Sequence, residues 1–273
     1  MMLVNANLKM LLGDRARGFG LTMLRHVAVS NQLAGRREFS AVHVANALLI
    51  DQVNTEGFTL WLHLNKEEGG LPLTKTLEAQ TELAPAQYQF KHLSFQEGLF
   101  AQHLLLLAAE GWEGWVTDEE ASKFLNNPFM NNTCRIAAGH LGSLLAKRRP
   151  SWDFSTEDAR LTEVGLQALW LICEKNDTLA SLNVSGNSVG QRNEDSIGLA
   201  RMVSTSEGLE VLNLSNNLLG DLKQYLRAFG RGLGSNKTLT HLDVSSNALL
   251  PDGIKIVCNA LRTCSSMRTL DVS

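Results

Sequence analysis

Cysteine, tyrosine and proline are scarce in this chain of 273 residues, which holds four Cys, two Tyr and five Pro, and aromatic residues make up only 6%. Cys134, Cys173, Cys258 and Cys264 form no C-x-x-C pair and no zinc-ligand spacing, so a metal role is not expected. Cys173 and Cys258 fall at apolar helical positions, where cysteine acts as a small hydrophobe. A basic excess is also missing: 25 Lys and Arg stand against 28 Asp and Glu, for a net charge of -3 and a pI of about 6.2. No nucleic-acid partner is therefore expected, and Lys147-Arg148-Arg149 reads as a solvated helix end. Long hydrophobic runs are absent too. The stretch Leu99 to Ala109 is too short to cross a bilayer and contains Gln102 and His103, so no membrane role is expected. Lys9, Asp14, Arg15 and Arg17 interrupt the early apolar residues, which argues against a secretory signal and for a cytoplasmic chain with reduced thiols. Finally, no Gly-Lys dipeptide occurs anywhere. A P-loop needs that pair to cradle and neutralise phosphate, so this chain is expected to be non-enzymatic and without ATP hydrolysis.

What is present is a repeat. Leu209-Glu210-Val211-Leu212-Asn213-Leu214-Ser215-Asn216-Asn217 reads L-x-x-L-x-L-x-x-N. Leu179, Leu182, Val184 and Asn187 carry the pattern upstream, and Leu239, Leu242, Val244 and Asn247 carry it downstream. Met267, Leu270 and Val272 begin a further copy. Self-similarity at this period is the signature of a leucine-rich-repeat solenoid of the ribonuclease-inhibitor-like kind. Alternating Leu and Val put period-2 burial on a short strand, and the ninth-position Asn can satisfy backbone groups where the chain leaves it. Helical patterns lie between the strands, as in Leu222, Leu226, Phe229 and Leu233, or Ile254, Val257, Cys258 and Leu261. One strand–helix unit cannot bury its own apolar face, so the units are expected to stack.

Upstream the pattern is less regular. Residues 1–19 are ambiguous; a helix is expected from Leu21 to Leu33 closing at Gly35, and another from Val42 to about Val53. Within the second, Ala47-Leu48-Leu49-Ile50-Asp51 reads as helix rather than as a magnesium-binding strand end, since no P-loop precedes it. Glu56-Gly57 and Gly69-Gly70 mark turns, and Phe58 to Leu62 is a core segment. Ser94 and Glu97 have capping-box spacing before an apolar helix of about Phe95 to Ala109, ended by Gly111. Trp112, Trp115, Phe124 and Phe129 read as helical core, and Trp152-Asp153-Phe154 as a junction before a helix through Leu161, Val164, Leu166, Leu169 and Ile172.

The stretch Phe90-Lys91-His92-Leu93-Ser94-Phe95-Gln96-Glu97 resembles the end of the winged-helix domain of the NOD-like receptors, the nucleotide-binding leucine-rich-repeat proteins of innate immunity. Phe124 to Phe129 and the helix Ile136 to Leu145 are similar to the second helical domain of that family. The resemblance implies a mostly α N-terminal module followed by an α/β leucine-rich-repeat solenoid with a short parallel sheet. The expected parts are a winged-helix-like region at 1–110, a helical domain at 111–155 and the solenoid at 156–273, incomplete at its C-terminus. It also implies that His92 reaches the phosphates of bound ADP, which requires a nucleotide-binding domain supplied elsewhere; this chain itself is expected to hold no cofactor.

Stacking would place Ser181, Val211, His241 and Thr269 in one column of a concave face. Asn183, Asn213, Asp243 and Asp271 would form a second, and Ser185, Ser215, Ser245 and Ser273 a third. This small, polar, mildly acidic surface suits a protein partner. Leu182, Asn187, Leu212, Asn217, Leu242 and Asn247 are the structural positions beneath it. His241, Asp243 and the serines have the composition of a hydrolytic triad, but no nucleophile turn or oxyanion hole accompanies them. Ser273 stops inside a strand, so the chain reads as a piece of a longer protein, open to self-association through its uncapped repeat. The functional expectation is a binding or sensing region like the regulatory half of a NOD-like receptor. The alternatives are a stand-alone repeat scaffold and the substrate-recognition module of a ubiquitin ligase, for which Cys134 is the single arguable catalytic thiol.

Overall fold

A computed structural model describes residues 16–49, 55–66, 71, 73–110, 115–190, 193–221 and 223–273. Expectations for residues 1–15, Ile50, Asp51, Gly69, Gly70, Gly111, Trp112 and Leu222 lie outside this set. The chain divides into two compact units, Met1–His103 and Leu104–Ser273.

In the first unit, α1 (Ala16–Leu33) is followed by β1 (Glu38–Ser40), α2 (Ala41–Leu49), α3 (Thr55–Lys66), β2 (Thr74–Glu78) and β3 (Gln87–Phe90). Helix α4 (Leu93–Ala109) then begins, and the division between the units falls within it. Helix α1 ends because Gly35 adopts φ 62°, a left-handed turn that costs glycine little. The Arg36 N–H donates to the Asn31 carbonyl at 2.8 Å across that turn. The strands form an antiparallel sheet in the order β1-β3-β2. Phe39 packs on Trp61, Tyr88 and Phe90 with ring centroids 6.0, 6.0 and 5.7 Å away, and all four are buried with Met23, Leu24, Val27 and Leu48.

Two expectations fail here. Glu56-Gly57 is no turn, because α3 starts at Thr55 and runs through it to bury Trp61 against the sheet. Ser94 does not cap α4, which already begins at Leu93. β3 pairs to Phe90 and the Lys91 N–H donates to Leu73 O at 2.8 Å, so the chain turns at His92 and the helix starts one residue before the serine.

The second unit opens with α5 (Asp118–Leu125), a 3-10 turn at Pro128–Met130 and α6 (Asn131–Ala146). Thr117 caps α5 by accepting from the Glu120 N–H. Then strands and helices alternate: β4 (Ser151–Asp153), α7 (Glu163–Cys173), β5 (Ser181–Asn183), α8 (Asn193–Thr205), β6 (Val211–Asn213), α9 (Lys223–Ser235), β7 (His241–Asp243), α10 (Pro251–Leu261) and β8 (Thr269–Asp271). The five strands are parallel and lie in sequence order, β4-β5-β6-β7-β8. Each helix carries the chain from one strand to its neighbour, which parallel pairing requires.

The segment read as a junction is therefore a strand of the sheet. Trp152 pairs in register with Leu182, and it and Phe154 are almost fully buried. Aromatic bulk replaces Leu and Val there because this strand also meets Trp115, whose ring centroid lies 5.5 Å from that of Trp152. Cys258 is the other correction: it is exposed on α10, while Val257 beside it is buried. A one-position error on a helix turns a side chain by about 100°.

Candidate functional site

The strands are three residues long, and their middle positions, Trp152, Leu182 and Leu212, are at most 1% exposed. Period-2 geometry turns the residues on either side to the opposite face. The register aligns Ser181 with Val211, Val211 with His241 and His241 with Thr269. It aligns Asn183 with Asn213, Asn213 with Asp243 and Asp243 with Asp271 in the same way. Both columns extend by one strand to Ser151 and Asp153, which sequence reading missed. The signal was there: Asp153-Phe154-Ser155 matches Asn183-Val184-Ser185 and Asp243-Val244-Ser245, with phenylalanine hiding the aliphatic pattern.

The second column is held by its own chemistry. Asn183 Oδ1 accepts the Ser185 N–H at 3.0 Å. Asn213 Oδ1 accepts the Ser215 N–H at 2.9 Å and its hydroxyl at 2.7 Å. Asp243 Oδ1 does the same for Ser245 at 2.9 and 2.6 Å, and Asp153 Oδ1 for Ser155 at 2.9 and 2.6 Å. The Ser273 N–H donates to Asp271 Oδ1 at 3.0 Å, and this bond and the Ser273 hydroxyl hold the Asp271 carboxyl below the usual carboxylate range. Each of these side chains thus fixes an Asx turn with one oxygen. The carboxylates at 153, 243 and 271 keep a second oxygen, which gives the face its acidity.

No hydrolytic triad assembles. His241 Nδ1 lies 2.7 Å from Thr240 Oγ1, and Asp243 is bonded to Ser245. Val211 is 38% exposed and His241 and Thr269 are exposed, so the first column is the accessible one.

Beneath the columns the ninth-position asparagines are almost completely buried and cross-link successive strands. Asn187 Nδ2 donates to Phe154 O at 2.8 Å while its Oδ1 accepts the Leu161 N–H at 2.7 Å. Asn217 Nδ2 reaches Val184 O at 3.0 Å and Leu214 O at 2.9 Å, and its Oδ1 accepts the Val189 N–H at 2.9 Å. Asn247 Nδ2 bonds Leu214 O at 2.8 Å and Val244 O at 3.0 Å, and its Oδ1 accepts the Leu219 N–H at 3.2 Å. A second buried set, unnoticed in the sequence, follows the helices. Asn236 Nδ2 donates to Val203 O at 2.7 Å and its Oδ1 accepts the Leu239 N–H at 2.6 Å. Asn176 accepts the Leu179 N–H at 2.9 Å, and Ser206 and Cys264 take the equivalent places in their units.

His92, in the first unit, is exposed and stacks edge-on against Phe95, with centroids 5.4 Å apart. It borders a cleft of about 240 Å³ shared with Arg37, Gln89, Lys91 and Gln96. Cys134 sits in α6, not in a polar loop; burial leaves it 0% exposed and pushes its thiol up to about 12, far from a nucleophilic thiolate at neutral pH. Among the described residues, no three or more His, Cys, Asp or Glu converge as a metal set, and no helix is long and apolar enough to cross a membrane.

Comparison with known proteins accords with the repeat and goes no further. No protein-family profile matches the chain. A stretch of 124 residues, 45% of this chain, is 28% identical to leucine-rich repeat-containing protein 45 of Gallus gallus. The match spans 18% of that relative's length. The similarity supports a leucine-rich-repeat character.

Proposed function

We propose that the second unit is a leucine-rich-repeat solenoid whose strand face binds a protein, and that the chain works by binding, without catalysis of its own. The observation that carries this reading is the registered pair of columns, Ser181-Val211-His241-Thr269 beside Asn183-Asn213-Asp243-Asp271. The repeat fixes their backbone while leaving their outer side chains free to vary. Ser185, Ser215 and Ser245 are spent on Asx turns and contribute rigidity more than contact. Preorganisation of this kind lowers the ordering cost of association.

The finer proposal is that the chain corresponds to the regulatory half of a NOD-like receptor, with the first unit as a winged-helix-like region, the segment 111–155 as a helical domain and the location cytoplasmic. His92 supports it by its place beside a cleft with Arg37 and Lys91. In that setting ADP or ATP would be held only if a nucleotide-binding domain precedes this chain. The simpler proposal, a repeat scaffold independent of nucleotide, is favoured by the name of the similar protein.

Partner capture by the full chain, and by a Val211→Arg, His241→Glu variant, tests the binding reading with and without ADP. Specific partners recovered by the wild type and lost by at least about tenfold in the variant support it, since central interface residues cost more than about 1 kcal/mol each. Equal recovery by both chains would contradict it, as would ATP turnover above a heat-killed control. Capture that requires ADP separates the receptor proposal from the scaffold.

A further inference from the structure

The helix side of the second unit differs from the strand face in both charge and relief. Helices α7 and α8 leave a groove of about 410 Å³ between them, with the start of α6 at one wall. Trp170 and Leu171 line it from α7 and Ile197 from α8. Position 198 in its wall is glycine, which lets Trp170 pack close: a Cβ there would lie 2.7 Å from Trp170 Cδ1. Ile197 beside it is 53% exposed although it is β-branched and apolar. The Trp170 indole N–H, in a residue only 1% exposed, has no hydrogen-bond acceptor.

The rim is cationic. Arg135 and Arg201 stand against one carboxylate, Glu174, which Arg201 Nε already meets at 3.3 Å. The Arg201 side chain stays 67% exposed, so that pair does not consume it. The next groove, between α9 and α10, repeats the recipe with Arg227 and Arg231 beside Ile256, where Gly230 again lets a bulky neighbour approach. Arginine is among the side chains that dominate protein interfaces, and here it borders an exposed apolar side chain.

We propose that the α7–α8 groove docks an acidic amphipathic helix of a partner protein, its apolar stripe on Leu171 and Ile197, above the buried Trp170, and its carboxylates on Arg135 and Arg201. This surface is separate from the strand face, and its occupant has the opposite charge to one suited there. A nucleic acid fits less well, because the exposed Ile197 side chain offers a phosphate backbone nothing.

The test uses the full chain and a fluorescein-labelled synthetic helix with leucines spaced i, i+3, i+4, i+7 and glutamates flanking them, followed by anisotropy. Saturable binding tighter than about 1 mM is expected. Ile197→Asp and Arg135→Glu, both at exposed positions, should each weaken it by about tenfold or more with unchanged circular dichroism. The Trp170 indole N–H resonance should shift on binding. A control peptide with serine for every leucine should not bind. Failure to saturate, indifference to Ile197→Asp, equal binding of the serine peptide, or a stationary Trp170 resonance would each overturn the proposal. So would an oligodeoxythymidine strand that outcompetes the leucine peptide.

Discussion

In the second unit Asn187, Asn217 and Asn247 are at most 5% exposed, and each holds both ends of its side-chain amide in hydrogen bonds to the backbone. In the first unit Asn31 is 1% exposed, and neither end of its amide has a partner. Near it Gln96 Nε2 donates to Gln32 Oε1 at 3.0 Å and to the Arg36 carbonyl at 3.1 Å, yet Gln96 Oε1 and Arg36 Nε are buried without partners. The contrast shows what repetition gains. A solution found once for a buried turn is copied from strand to strand, and each copy satisfies backbone groups of its neighbour as well as its own. Among its described residues the first unit has no such template, so its buried polar groups are met one by one and incompletely, as are Asp118 and Trp170 outside the ladder of the second unit.

The largest test of this contrast is Asn217→Leu. It strands the Val189 N–H and the Val184 carbonyl and leaves Leu214 O to Asn247 alone, and should cost about 3 kcal/mol in urea unfolding of the second unit. The matching change, Asn31→Leu, removes a buried amide that is bonded to nothing. It should stabilise the first unit by about 1 kcal/mol. A large loss there would show that Asn31 is satisfied in solution, and would erase the comparison.

The smallest effect concerns pH. The Ser40 N–H donates to His43 Nδ1 at 3.0 Å, and the His43 N–H donates to Ser40 Oγ at 3.4 Å, a reciprocal cap at the start of α2. Burial, with a smaller contribution from Arg36, holds the His43 pKa below its ordinary 6.5. The neutral ring is thus favoured in the folded state. Stability from this cap is full above pH 6.5 and is lost as pH falls through the lower folded value. Hydrogen exchange at the start of α2 should accelerate as pH falls below 6.5, beyond its intrinsic pH dependence, and His43→Gln should remove that excess.

Much of the second unit could be read in the sequence because its physics is periodic. Leu182, Leu212 and Leu242 announce strands, and Asn187, Asn217 and Asn247 announce where they end. The first strand escaped because Trp152 and Phe154 meet a second aromatic layer, so its side chains answer to tertiary packing instead of the repeat. Asn176 and Asn236 escaped for another reason: Ser206 and Cys264 fill the equivalent places with different chemistry, and the spacing alone did not reveal them. In the first unit the helix ends were legible where Gly35 marks one, and not where long-range bonding decides, as at Leu93. The columns of the strand face followed from the repeat. The grooves on the helix side did not, since they depend on how neighbouring helices pack.

The most direct measurement is native-state hydrogen exchange at the Leu161, Val189 and Leu219 amides, each of which donates to a buried asparagine of the following unit. Protection comparable to the strand amides at Leu182 and Leu212, falling at Val189 when Asn217 becomes leucine, is the predicted result. Exchange at all three as fast as in exposed loops would contradict the ladder, and with it the rigid strand face on which the proposed binding depends.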